Sequence, residues 1–201
     1  GTAADMPAIL AVADQHGIPD LEDCSQAAGA TIDGRMVGSM GAVGILSLQY
    51  NKNITTGEGG LLTTSDEDIF RRAICFHDMG FERDMQGVSV PQESPFESWG
   101  MGARMDELRG AIGLVQLGKL PAIVGAMRGH QLRLREALGK TPGIRLRRLV
   151  DPVGDSGSYF VWIHDTLDLA DRFMAAMQAE GIPVSQPHGG IHQYRHMSNL
   201  L

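Results

Sequence analysis

The 201-residue sequence is short of cysteine and free of any long basic run, and each shortage removes a class of function. Cys24 and Cys75 are the only cysteines, too few for a disulfide framework and without the close pairing of a zinc site or redox dithiol. A reducing cytoplasm is therefore the expected compartment. The formal net charge of −7 is spread along the chain and offers no attraction to a phosphate backbone, so nucleic acid is not an expected partner. No basic-then-apolar leader stands out. Every apolar run falls well short of the ~20 residues that span a bilayer, so no membrane association is expected either.

With 43% hydrophobic and 20% charged residues, the chain can bury a core, and its hydrophobic periodicity alternates between two kinds of element. Met6, Ile9, Leu10 and Ala13 share one helical face between a capping Asp5 and a terminating Gly17, which predicts a helix over 5–16. A buried strand is expected over Ile18–Glu22, followed by a tight turn into a short helix through the small residues Ser25–Ala30. Asp33-Gly34 is a hairpin signal, because both central positions of a type I′ turn need positive φ. Strands at 42–48 and 60–64 and a capped helix over 66–76 complete an α/β alternation, the pattern of a doubly wound sheet.

Periodicity then vanishes from His77 to Ala103, a stretch long enough to suggest a functional loop over a site. Helical spacing resumes at Met105, and a second helix is expected from Pro121 to Leu138. Strands at 144–150 and 159–164 and a helix around Ala170–Met177 suggest a small α+β domain. The expected division is 1–130 for part of a large domain and 131–201 for the small one. The last fifteen residues contain no element long enough to close a domain, and both ends read as cut.

Two residues stand out chemically. Asp23 follows a buried strand, and open α/β sheets bind ligands beyond the carboxyl ends of their strands. It could equally cap the element that follows. Lys52 follows another buried strand and precedes the flexible run Thr55-Thr56-Gly57-Glu58-Gly59-Gly60, although an isolated lysine is most often a solvated surface residue. That glycine run lacks the spacing of a nucleotide-binding P-loop, and Glu58 would repel phosphate.

Several segments together resemble the DegT/DnrJ/EryC1/StrS sugar aminotransferases. They are Glu22-Asp23-Cys24-Ser25-Gln26-Ala27-Ala28-Gly29-Ala30, Ser47-Leu48-Gln49-Tyr50-Asn51-Lys52 and Gly57-Glu58-Gly59-Gly60. Gly38-Ser39-Met40-Gly41, His77-Asp78-Met79-Gly80 and Arg104-Met105-Asp106-Glu107-Leu108 continue the match in the same order. The resemblance implies a fold-type I enzyme dependent on pyridoxal 5′-phosphate, with a mixed doubly wound sheet. Lys52 would carry the cofactor as a Schiff base and then act as the base that moves a proton. Asp23 would pair with the ring nitrogen, Gln26 would contact the phenolic oxygen, and Ser47 would bind the phosphate. The implied reaction takes an amino group from glutamate or glutamine to a keto sugar, nucleotide-linked or free, in a homodimer with active sites at the interface.

His77, at the mouth of the long loop, and His192 are the candidate substrate contacts. Each has an alternative, packing under the loop for His77 and a surface position for His192. His192 and His196 have helical i,i+4 spacing but no nearby acidic partner, so no metal site is expected. Two features depart from the family pattern. Gly102 stands where an asparagine usually reaches the partner subunit's cofactor phosphate, and the phosphate-binding turn and ring-stacking aromatic residue expected upstream of Asp23 are absent. Two rival readings follow: a sugar dehydratase of the same family, which has histidine where Lys52 stands, and a truncated or regulatory module without activity.

Overall fold

The computed structural model describes residues 1–84, 86–90 and 94–185. The first helix, α1 (Met6–His16), has the expected ends: Asp5 accepts from the N–H of Ala8, and Gly17 adopts φ 60° as the left-handed stop. Of its apolar face, Met6 is buried and Leu10 packs on the core, while Ile9 is exposed. Strand β1 (Leu21–Asp23) starts later than the apolar pattern predicts. Pro19 cannot donate to a ladder, and Asp20 is committed to the N–H of Ala42.

The residues after β1 form successive turns rather than a helix, with Ala27 N–H bonded to Cys24 O and Ala30 N–H to Ala27 O. Gly29 ends this segment at φ 85°, where a Cβ would sit 2.5 Å from Val124 Cγ2. Close approach of a distant helix therefore overrides the local helical tendency. The hairpin of β2 (Thr31–Ile32) and β3 (Arg35–Met36) forms as expected, with Asp33 and Gly34 at φ 48° and 79°.

Strands β4 (Val43–Ser47) and β5 (Gly60–Thr63) join β1 in a three-stranded mixed sheet of order β1-β4-β5. The β1–β4 pair is parallel and the β4–β5 pair antiparallel. The buried carboxylate of Glu22, in the middle of β1, sets this register. It accepts three backbone N–H bonds from the turn leading into β4: Gly38 at 2.8 Å, Met40 at 2.7 Å and Gly41 at 2.8 Å. Gly44 lies directly against the Gly38 backbone, leaving no room for a side chain.

Helix α2 (Glu67–His77) is capped by Asp66, which accepts from Ile69 N–H at 2.9 Å. Helix α3 (Glu107–Leu138) is one continuous helix of 32 residues, where the sequence pattern suggests a break at Pro121. Proline inside a helix costs about 3 kcal/mol. Burial of the flanking Leu120 and Val124 against Leu48 and Ile54 offsets that cost. Among the described residues α3 is long and apolar enough, by length and composition, to cross a membrane. Its second half is nevertheless tied to protein polar groups: Arg128 donates to Asp155 O and Gly154 O, and Gln131 to the Asp155 carboxylate. Its first half exposes a run of large apolar side chains, including Leu108, Leu114 and Val115.

Two compact units result: residues 1–134 with 148–160, and residues 135–147 with 161–201. This differs from a single cut at residue 130, because 148–160 returns to the first unit. Asp151 accepts the N–H of Asp33, and Thr31 donates to Gly154 O. Of the strands expected at 144–150 and 159–164, only β6 (Arg145–Leu146) and β7 (Trp162–Ile163) form, paired antiparallel in the second unit with α4 (Leu167–Ala179). The core of the first unit gathers Ala3, Met6, Cys24, Ala27, Ala30, Ile32 and Val37.

Replacing Glu22 by glutamine keeps its shape but removes the charge that three N–H groups share. Hydrogen bonds to charged groups contribute roughly 1.5–3 kcal/mol each, and partial retention leaves an expected loss of about 2–4 kcal/mol. Chemical denaturation of wild type and Glu22→Gln measures it; an unchanged midpoint would show that the clamp does not hold the sheet.

Candidate active site

Parallel pairing of β1 with β4 puts Asp23 opposite Ile45, so Asp23 and Ser47 both lie at the carboxyl end of the parallel pair. This is the end at which α/β sheets bind ligands. The Asp23 carboxylate accepts the N–H of Ser25 at 3.0 Å. Hydrogen bonding from the Ser25 side chain and backbone, aided by the positive charge of Lys52, holds its pKa below the ordinary value of 3.8 against the opposing effect of burial. Asp23 is thus held as an anion, chiefly by Ser25.

Lys52 sits in a turn built by a relay of polar contacts. Ser47 Oγ accepts from Gln49 N–H at 3.3 Å, Gln49 Oε1 accepts from Asn51 N–H at 3.0 Å, and Gln49 O accepts from Lys52 N–H at 3.0 Å. Beyond it, Leu48 O receives both Thr56 N–H and the Thr55 hydroxyl at 3.0 Å, folding the chain back toward β5. Lys52 is half-buried, and the ε-amine carries a charge felt at Asp23.

The adjacent Asn53 anchors this turn from behind. Its Nδ2 donates to Ala28 O and to Ser158 Oγ, both at 2.9 Å, and its Oδ1 accepts from the Ser158 hydroxyl. Gln26 is exposed, and its Oε1 accepts from the Tyr159 hydroxyl at 2.9 Å. Asn53, Ser158 and Tyr159 are absent from the expected site residues. The sequence signal available for Asn53 is its place directly after Lys52; Ser158 and Tyr159 lie more than a hundred residues away and carry none.

The neighbouring Cys24 is buried, and burial, together with Glu22 and Asp23, pushes its thiol up to about 11. It is therefore a neutral packing group rather than a nucleophile. Among the described residues no three His, Cys, Asp or Glu side chains gather as a metal site.

His77 belongs to a different place. At the end of α2 its Nδ1 contacts Ile74 O, and with Phe70, Ile74, Arg83 and Arg104 it lines a cleft of about 570 Å³ that Asp23, Gln26, Ser47 and Lys52 do not line. The buried Asp78 organises that cleft, pairing with Arg83 and, at 2.9 Å, with Arg104. The Arg83 hydrogen bond and the charges of Arg104, Arg83 and His77 hold the Asp78 carboxyl below the ordinary range against burial. The long loop thus folds around an ion-paired aspartate, bridging Asp78 to Gly102. His192 lies outside the described residues.

The residues at the β1–β4 edge fit pyridoxal phosphate in part. A persistent carboxylate suits a protonated ring nitrogen, a half-buried amine suits the aldehyde carbon, and Ser47 adds a hydroxyl for phosphate.

Comparison with known proteins gives the same direction. The model of the DegT/DnrJ/EryC1/StrS aminotransferase family matches residues 1–199. The chain is 33% identical to the L-glutamine:2-deoxy-scyllo-inosose aminotransferase of Streptoalloteichus tenebrarius, over 96% of this chain and 47% of that protein. Among solved structures, an aminotransferase from Psychrobacter cryohalolentis superposes with a TM-score of 0.73 at 31% identity, covering 90% of this chain and 50% of that one. The GDP-4-keto-6-deoxy-D-mannose-3-dehydratase of E. coli, solved with bound hydrated pyridoxal phosphate, gives 0.78 at 25% identity over 91% and 50%. The chain spans about half the length of the curated relatives it matches.

Asp23 contributes to stability in its ionised form. Because its folded pKa is depressed, that contribution is complete above the unfolded carboxylate value near 3.8 and is lost as pH falls through the lower folded value. Carboxyl-carbon NMR should place the Asp23 transition below 3.8, and Ser25→Ala should move it upward. A transition unmoved by that substitution would refute the assigned cause.

Proposed function

The chain belongs to the DegT/DnrJ/EryC1/StrS aminotransferase family, and from that premise we propose that it works as a pyridoxal-phosphate sugar aminotransferase. It moves an amino group from glutamate or glutamine to a keto sugar, nucleotide-linked in the leading form of the proposal. The observation that carries this reading is the place of Asp23 and Ser47 at the carboxyl edge of β1 and β4, with the charge of Lys52, in the turn after β4, acting on the Asp23 carboxylate.

Bound pyridoxal phosphate supplies an electron sink for the pair left behind when a proton leaves the substrate carbon. The chain's residues make that sink usable. Asp23, kept ionised by Ser25 and Lys52, holds the proton on the ring nitrogen. Lys52 would hold the cofactor and, once freed by the donor amine, its amine would move a proton from the donor's α-carbon to the cofactor carbon C4′. Ser47 binds the phosphate and Gln26 meets the phenolic oxygen. His77 and His192 complete the proposal as substrate contacts, with the His77 cleft offering Arg83 and Arg104 to an anionic substrate group.

Action in the cytoplasm as a homodimer with sites at the interface belongs to the same proposal. Buried, free Cys24 and Cys75 support the compartment, and the uncovered apolar side chains of α3 support burial by further protein surface. The likeness to the dehydratase favours one second reading, loss of a hydroxyl without amine transfer. Lys52 weighs against it, since the dehydratases of this family have histidine at that position and a lysine there suits transfer of the donor's amino group to the sugar.

In the full-length protein, borohydride reduction after loading with pyridoxal phosphate should fix the cofactor on Lys52, as read by peptide mass spectrometry. Lys52→Arg should abolish that label and lower amino transfer by at least about 10³-fold, the scale of a lost proton-transfer group. Labelling at another lysine would end this assignment, and a deoxy sugar without new nitrogen would favour dehydration.

A further inference from the structure

Gln26 and Asn53, the residue after Lys52, lie on different segments, yet two consecutive residues from far along the chain reach both. Ser158 exchanges hydrogen bonds with Asn53, the neighbour of Lys52, and the Tyr159 hydroxyl donates to Gln26 Oε1 at 2.9 Å. The segment carrying them is firmly held. Ser156 is fully buried and bonded to Ser158 at 2.7 Å, and Asp155, also buried, takes bonds from Gln131 and from the N–H of Gly157. Gly157, at φ 74°, packs against the backbone of α3 at Met127 and Arg128, 2.6 Å from where its Cβ would stand. Tyr159 is thus presented from a rigid support.

A glutamine amide has one oxygen acceptor and one NH₂ donor on opposite sides of its plane. A donor fixed on the oxygen decides which side the NH₂ faces. The geometry points to Tyr159 as a positioning residue: its hydroxyl holds the Gln26 oxygen, leaving the NH₂ to donate to the phenolic oxygen of pyridoxal phosphate. This inference rests on the proposed function, and it adds a residue from beyond α3 in the chain to the cofactor site. Donation to that oxygen stabilises its ionised form, so the pH at which the lysine-bound cofactor loses its shared proton falls. Without Tyr159 the amide turns freely and part of that stabilisation goes.

The test follows the absorbance of the lysine-bound cofactor against pH in the loaded full-length protein, for wild type, Tyr159→Phe, Gln26→Ala and the double variant. Phenylalanine keeps the ring and removes only the hydroxyl of an exposed side chain. Tyr159→Phe should raise the midpoint by about 0.5–1 pH unit, the shift equivalent to one hydrogen bond. Gln26→Ala should raise it at least as far, and adding Tyr159→Phe to it should change nothing more. An unmoved midpoint in Tyr159→Phe overturns the inference, as does an equal shift in the Gln26→Ala background. Absence of any Lys52-dependent band in the wild-type protein instead overturns the functional reading on which it rests.

Discussion

The arrangement of the site depends on a buried carboxylate that takes no part in the chemistry. Glu22 accepts three backbone N–H bonds from residues 38–41, and thereby ties the strand that ends in Asp23 to the turn that opens β4. Together with the bond from Ala42 N–H to Asp20, that tie fixes how far β1 reaches relative to β4. Because side chains alternate along a strand, a slip of one residue would turn Asp23 to the opposite face of the sheet. The clamp explains why a charged residue occupies the centre of a parallel pair, where apolar residues are the rule.

From that register the electrostatics follow. Asp23 is anchored by Ser25 and attracted by Lys52, while the turn carrying Lys52 is built from Ser47, Gln49 and Asn51 and braced through Asn53. The segment at 155–159 locks the brace from the other side. An ionised carboxylate and the turn that carries Lys52 are thereby each held by their own hydrogen bonds.

Features set by neighbouring residues were legible in the sequence. The Asp33-Gly34 hairpin, the Asp5 and Asp66 caps and the Gly17 stop follow from local backbone chemistry, and each appears as expected. The order of the motifs around Asp23 and Lys52 revealed the family. Features set across the chain were hidden. Gly29 ends its turn because of Val124, and residues 148–160 leave the second unit because Asp151 binds Asp33, 118 residues earlier. Asn53 and Ser158 meet across 105 residues, and α3 continues through Pro121 because Leu120 and Val124 are packed. Periodicity within a window carries no trace of such partners.

The central claim is that Asp23 is held ionised at the place where a cofactor ring nitrogen must be kept protonated. Nitrogen NMR of the full-length protein loaded with ¹⁵N-labelled pyridoxal phosphate tests this most directly. The account predicts a protonated ring nitrogen at neutral pH in the wild type and its loss in Asp23→Asn. A neutral ring nitrogen in the wild type, or one indifferent to Asp23, would contradict it.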